Sequence, residues 1–105
     1  MADAHSLSAS SQDWTPFEAG VVKGMRQDEA VASGIWRCTV AEQPDVHEAP
    51  FEQNETVLIL KGRVRVEILD GPTVELSAGD SASFVKGTVG RWTLLGDVEE
   101  FFVYS

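Results

Sequence analysis

The sequence predicts an all-β fold of the sandwich or barrel kind. Three observations point there. From residue 34 onward, glycine or proline turn signals recur every 8 to 12 residues, the spacing of short strands joined by tight connections. The segments between them are rich in Val, Ile, Phe, Trp and Thr, side chains that fit a pleated, half-buried surface. No segment carries a long apolar stripe at helical spacing.

The elements follow in order. Residues 1–20 form a flexible tail or arm, because the first dozen are Ser- and Ala-rich and offer little to bury; residues 21–105 form the folded domain. Within residues 21–33, "RQDEAVAS" suits either one helical turn or an edge strand. "GIWRCTV" reads as a strand with Trp36, Cys38 and Val40 on one face and Ile35, Arg37 and Thr39 on the other. "ETVLILK" is a strand that opens on Glu55 after the turn "EQN" and ends at Gly62. In "RVRVEIL", Val64, Val66 and Ile68 alternate with Arg63, Arg65 and Glu67, so one face meets a core and the two arginines meet water. Asp70-Gly71-Pro72 supplies turn chemistry and "TVEL" returns as the second arm of a hairpin. "SAGD" turns again, "SASFV" is a short strand, and "KGTVG" is a tight loop before "RWTLL". "EEFFVYS" closes the chain with apolar residues on both faces, as expected between packed layers. Its edge, like those of the amino-terminal strands, is available for pairing with another copy. Glu99 and Glu100 read as a solvated face.

A chain of 105 residues makes one domain and buries roughly 65% of its unfolded surface, enough for an independent core. Eight Lys and Arg against 17 Asp and Glu leave a formal charge of −9, which disfavours nucleic acid and anionic membranes as partners. No basic, apolar leader and no run of 18 apolar residues occurs, so the expected location is cytoplasmic. The lone Cys38 cannot form an internal disulfide, which fits a reducing compartment, and it reads as a small buried hydrophobe. His5 reads as a solvated tail histidine. Signatures of serine hydrolases, P-loop proteins, zinc peptidases and paired CxxC sites are absent.

The carboxylate at the head of an apolar strand is the feature that needs an explanation. Glu55 through Gly62 is glutamate, six residues, glycine; Gly79 is followed after five residues by Val85-Lys86-Gly87. Their order, and the hairpin segment between them, resemble the two motifs of the cupin superfamily over residues 34–104. Gly87, Gly90 and Trp92 match a GxxGxW signature, and Ser33-Gly34-Ile35-Trp36 an early "sGiW" strand. Both are similar to the small single-domain cupins related to ethanolamine-utilisation proteins and (S)-ureidoglycine aminohydrolase. The resemblance implies a jelly-roll barrel of two antiparallel sheets around a pocket, and a homodimer.

It also implies a place for Glu55 in the barrel mouth, where metal-binding cupins join that glutamate to an HxH pair and a third histidine. The HxH positions fall on Ala49 and Phe51, or on Glu48 and Pro50, and the third histidine on Gly90. No metal site is therefore expected, at most weak divalent binding. His47 is either a rim histidine or a substitute ligand, about 13 Å along the strand from the Phe51 position.

Glu55 then either carries chemistry, as a ligand-binding carboxylate or a general acid/base, or sits at the rim paired with Arg91, Arg37 or Lys86. Trp36, Phe51 and Trp92 are core plugs or ligand walls; Arg91 or Lys86 at the mouth suits an anionic group; Tyr104 points into the pocket or against the tail. Three functions follow as expectations: a barrel binding a small molecule through Glu55, Trp36, Phe51, Arg91, Trp92 and Tyr104; an enzyme of nitrogen or sugar metabolites with Glu55 catalytic; or a structural barrel that pairs with a partner.

Overall fold

The computed structural model describes residues 4–8 and 13–105, which contain ten strands and no helix. They are β1 Thr15–Pro16, β2 Val21–Gln27, β3 Ala32–Cys38, β4 His47–Pro50, β5 Glu55–Lys61, β6 Arg63–Ile68, β7 Thr73–Ser77, β8 Ser81–Phe84, β9 Val89–Leu94 and β10 Val98–Tyr104. Two antiparallel sheets face each other. One has six strands in the order β1-β2-β3-β10-β5-β8, and the other four in the order β4-β9-β6-β7. This is the expected all-β double-sheet barrel.

Strand alternation decides what lies between the sheets. Val57 and Ile59 of β5, Val64 and Val66 of β6, and Val98 and Phe102 of β10 are buried together, each contributing about 1.5–3 kcal/mol of apolar burial. The β6–β7 hairpin has the register that its sequence predicts, with Val64 opposite Leu76 and Val66 opposite Val74. On its outer face Arg63 and Arg65 both donate to the Glu75 carboxylate, at 2.9 and 2.8 Å.

The ambiguous segment 21–33 resolves as strand rather than helical turn. β2 ends at Gln27, and the Asp28 carboxylate accepts from the Ala30 and Val31 amides at 2.9 Å, which closes the turn into β3. Three expectations are corrected. Val40 does not continue the β3 face, because Thr39 and Glu42 bond each other in a turn and leave Val40 exposed. Val85 lies beyond the end of β8 and is exposed. "EEFFVYS" is not a free edge, since β10 pairs with β3 on one side and β5 on the other.

The described part of the amino-terminal segment lies against β2 and β3. Thr15 and Pro16 pair with Val22 and Val21, and the Lys23 ammonium donates to the Ser8 carbonyl at 2.6 Å. The Trp14 ring sits 4.5 Å from that ammonium and 4.2 Å from the Arg37 guanidinium. His5 in this segment is exposed.

Candidate functional site: an acidic, aromatic cavity in the barrel

Inward-facing residues of the six-stranded sheet form cross-strand rows. Trp36 of β3 stands opposite Glu100 of β10, which stands opposite Ile59 of β5. Two residues along, Phe102 stands opposite Val57; two further, Tyr104 stands opposite Glu55, which stands opposite Phe84 of β8. The four-stranded sheet adds Ala49 from β4 and Trp92 from β9. Trp36, Glu55, Glu100, Phe102 and Tyr104 from one sheet and Ala49 and Trp92 from the other line an open cavity of about 910 Å³ that Phe17, Glu18 and residues 42–46 also border.

Part of the barrel is filled by rings. Phe51 stacks on Phe84 with centroids 4.8 Å apart and planes 6° off parallel, and Trp92 tilts against both at 6.2 and 5.6 Å. The rest is lined by Trp36, Phe102 and Tyr104, the last two in contact at 5.1 Å between centroids. The Trp36 indole N–H donates to the Ala19 carbonyl at 2.7 Å, which fixes the ring and spends its only donor on the main chain.

Glu55 is buried, 9% exposed. No ion pair or side-chain hydrogen bond among the described residues holds it, and burial pushes its carboxyl up to about 7. The proposed rim partners are occupied elsewhere or point away. Arg37 pairs with Glu99 at 3.3 Å, and the Lys86 side chain is exposed outside the cavity wall.

Arg91 does not line the cavity and is corrected from the mouth to the outer face. It follows the inward Gly90 and precedes the inward Trp92, so strand alternation turns it out, where it meets Glu48 of β4 at 3.3 Å. Trp36, Phe51, Trp92 and Tyr104 all line the cavity, as does His47 from its exposed position on β4.

The sequence reading missed Glu100. It is 4% exposed, its Oε1 has no hydrogen-bond partner among the described residues, and it lines the cavity. Burial first, and Glu55 second, raise its carboxyl well above the usual range. Burial and the same two carboxylates, with Glu18, raise the Tyr104 hydroxyl as well. The available signal was period two: Val98, Glu100, Phe102 and Tyr104 share one face. Glu99, on the other face, is the partly solvated one.

The donor set that the resemblance assigns to a metal does not fit. With the HxH pair on Ala49 and Phe51, Glu55 alone carries a donor side chain; in the other register Glu48 is turned from the cavity toward Arg91, and no group of three His, Cys, Asp or Glu placed to hold a metal occurs among the described residues. A Cβ at Gly90 would come within 2.8 Å of the Phe51 ring, so the third histidine position is covered by a side chain that itself stands at an HxH position.

The EutQ-like cupin domain family matches residues 25–102. The chain belongs to that family. No curated protein matches it by sequence. Among solved structures, this cupin resembles the ethanolamine utilization protein Q of Salmonella typhimurium, at 17% identity over 92% of this chain and 81% of that one, with a TM-score of 0.76. The cupin domain of Schizosaccharomyces pombe Cnp3 superposes with a TM-score of 0.78 at 13% identity, over 95% and 72% of the two chains. A DUF861 family protein of Thermotoga maritima is 32% identical over 65% of this chain and 73% of its own, with a TM-score of 0.57. Among the described residues no helix is long and apolar enough to cross a membrane.

Proposed function

We propose that this cupin binds a small molecule inside its barrel. The observation that supports this reading is Glu100: a carboxyl 4% exposed, with an unpartnered Oε1, beside a cavity of about 910 Å³ walled by Trp36, Trp92 and Tyr104. An unmet buried polar atom is costly in a core, and a ligand group that pairs with it removes the cost. Thermal denaturation against a metabolite panel tests the reading. Saturation at about 100 times the dissociation constant adds about 2.7 kcal/mol, a rise of roughly 10 °C for a domain of this size. A panel covering amines, acids and sugars that moves the midpoint nowhere overturns it.

A second reading, an enzyme with Glu55 as general acid/base, is favoured by a carboxyl lifted to about 7 within the cavity, near the pH at which a proton shuttle works best. Turnover of any ligand found, abolished in Glu55→Gln while binding persists, supports it. Turnover unchanged in that variant removes it. Pairing with a second copy is favoured by Leu58, Phe101 and Val103, half-buried on the outer face of the six-stranded sheet. Light scattering that gives a monomer at working concentration removes that proposal. A cytoplasmic setting fits the single buried thiol of Cys38.

A further inference from the structure

The charged groups around the cavity are of one sign. Glu18, Glu42, Asp45, Glu52, Glu55 and Glu100 border it, and among the described residues no lysine or arginine does. Two arginines on strands that contribute to the wall are committed elsewhere, Arg37 to Glu99 and Arg91 to Glu48. An acidic rim alone is only a solvated surface. Here it surrounds a carboxyl 4% exposed whose Oε1 meets no donor, and that carboxyl stands directly across from Trp36. The Trp36 N–H is already bonded to the Ala19 carbonyl, so what this residue offers a ligand is its ring. An aromatic ring beside an acceptor without a donor matches one chemistry well, a positively charged nitrogen that donates to oxygen and lies against π density.

We propose that the ligand of this barrel is a small organic cation, an amine or ammonium compound whose charged nitrogen is held at Glu100 against Trp36. This deepens the binding reading above and rests on it. Glu55 supplies a second acceptor. It stands opposite Tyr104, four residues along β10 from Glu100, with Phe102 between, about 13 Å at the usual strand rise. A compound with a cationic head and a short apolar body therefore places its head at Glu100 and its body along Phe102 and Tyr104. A carboxylate of the same size finds no lysine or arginine at either point to pair with it.

The other titratable groups that border the cavity among the described residues are Tyr104 of β10, His47 of β4, Glu18 of the segment before β2, and Glu42, Asp45 and Glu52 of the loops on either side of β4. None of them is a lysine or arginine. With no protein cation beside Glu100, an ammonium head favours the ionised form of that carboxyl, which the empty cavity disfavours.

The test uses the full chain and three probes of one shape: n-butylammonium, 1-butanol and butyrate. Binding is followed at neutral pH by the nitrogen–proton resonances of the Trp36 and Trp92 indoles and of the Phe102 and Tyr104 amides. The expected result is saturable movement of these signals by butylammonium, weaker movement by butanol and none by butyrate. Glu100→Gln is expected to weaken butylammonium binding about tenfold or more, and Glu55→Gln by a smaller factor, which keeps the test open should one variant fold poorly. Butyrate or butanol binding as tightly as butylammonium overturns the cation assignment while the binding reading stands. So does butylammonium binding that is equal in the native chain and both variants. Cavity resonances that respond to no probe overturn both the assignment and the binding reading.

Discussion

Glu55 and Glu100 lie on neighbouring strands of one sheet and line a single cavity, with no lysine or arginine among the residues that border it. Burial acts on both toward the protonated form, and on Glu100 the Glu55 charge adds to it. A carboxyl whose folded-state pKa is raised binds a proton in the folded chain that the unfolded chain has released. Its contribution to stability is complete below the unfolded value and is lost as pH rises toward the folded one.

For Glu55 that window runs from the ordinary 4.5 to about 7, and the loss across it is about 3 kcal/mol. Glu100 adds a loss of the same sign that extends to higher pH. Denaturation midpoints measured from mildly acidic to mildly alkaline buffer should fall as pH rises. Glu100→Gln should flatten that fall and be more stable than the native chain on the alkaline side. A midpoint that climbs steadily through neutrality contradicts the arrangement. At more acidic pH the depressed carboxyls of Asp28 and Glu75, held by the Ala30 and Val31 amides and by Arg65 and Arg63, lose their bonds and bring stability down again.

Phe51 and Gly90 should be energetically coupled. A Cβ at residue 90 would meet the Phe51 ring at 2.8 and 3.1 Å and Val66 at 3.4 Å, so Gly90→Ala should cost about 1–3 kcal/mol by overpacking. Phe51→Ala should cost about 3–5 kcal/mol by opening a cavity. The double variant should cost clearly less than the sum, because removing the ring clears the space that the new methyl needs. Chemical denaturation of the four proteins gives the coupling directly, and additivity would show that the ring does not occupy that space.

Cys38 should be inert in the folded chain. It is fully buried, and burial followed by the Glu42 and Asp97 charges pushes its thiol up to about 11, leaving about one thiolate in a thousand at pH 8. Reaction with an aromatic disulfide reagent should be at least a hundredfold slower than with a free cysteine peptide, and should accelerate in proportion to denaturant-induced opening. Prompt stoichiometric labelling under native conditions would contradict this packing.

How much of this was legible beforehand differs between fold and site. Period-two alternation in "RVRVEIL" and "TVEL" was enough for the β6–β7 hairpin and its register, since a one-residue slip would turn Val64 and Val66 out to water. The motif spacing located Glu55 at the head of β5, and the inward positions of Trp36, Phe51 and Trp92 agree with that reading. Arg91 lies outside the mouth because it stands between the inward Gly90 and Trp92, and neighbours on a strand face opposite ways. Glu100 was misplaced because two consecutive glutamates look like a solvated pair. On a strand only one of two can be solvated when the other face is the core, and the sheet assigned Glu99 to Arg37 and Glu100 to the interior.

Local chemistry in the chain determined seven of the ten strands, β3 and β5 to β10, with their turns and the glutamate at the head of β5, because those depend on residues within a few positions of one another. Only the closed barrel decided that β10 would lie between β3 and β5. That long-range pairing brings residue 100 opposite residue 36 and residue 104 opposite residue 55. It leaves two acids facing an aromatic cavity with no lysine or arginine among the described residues of its wall, and no stretch of the chain read alone contains that juxtaposition.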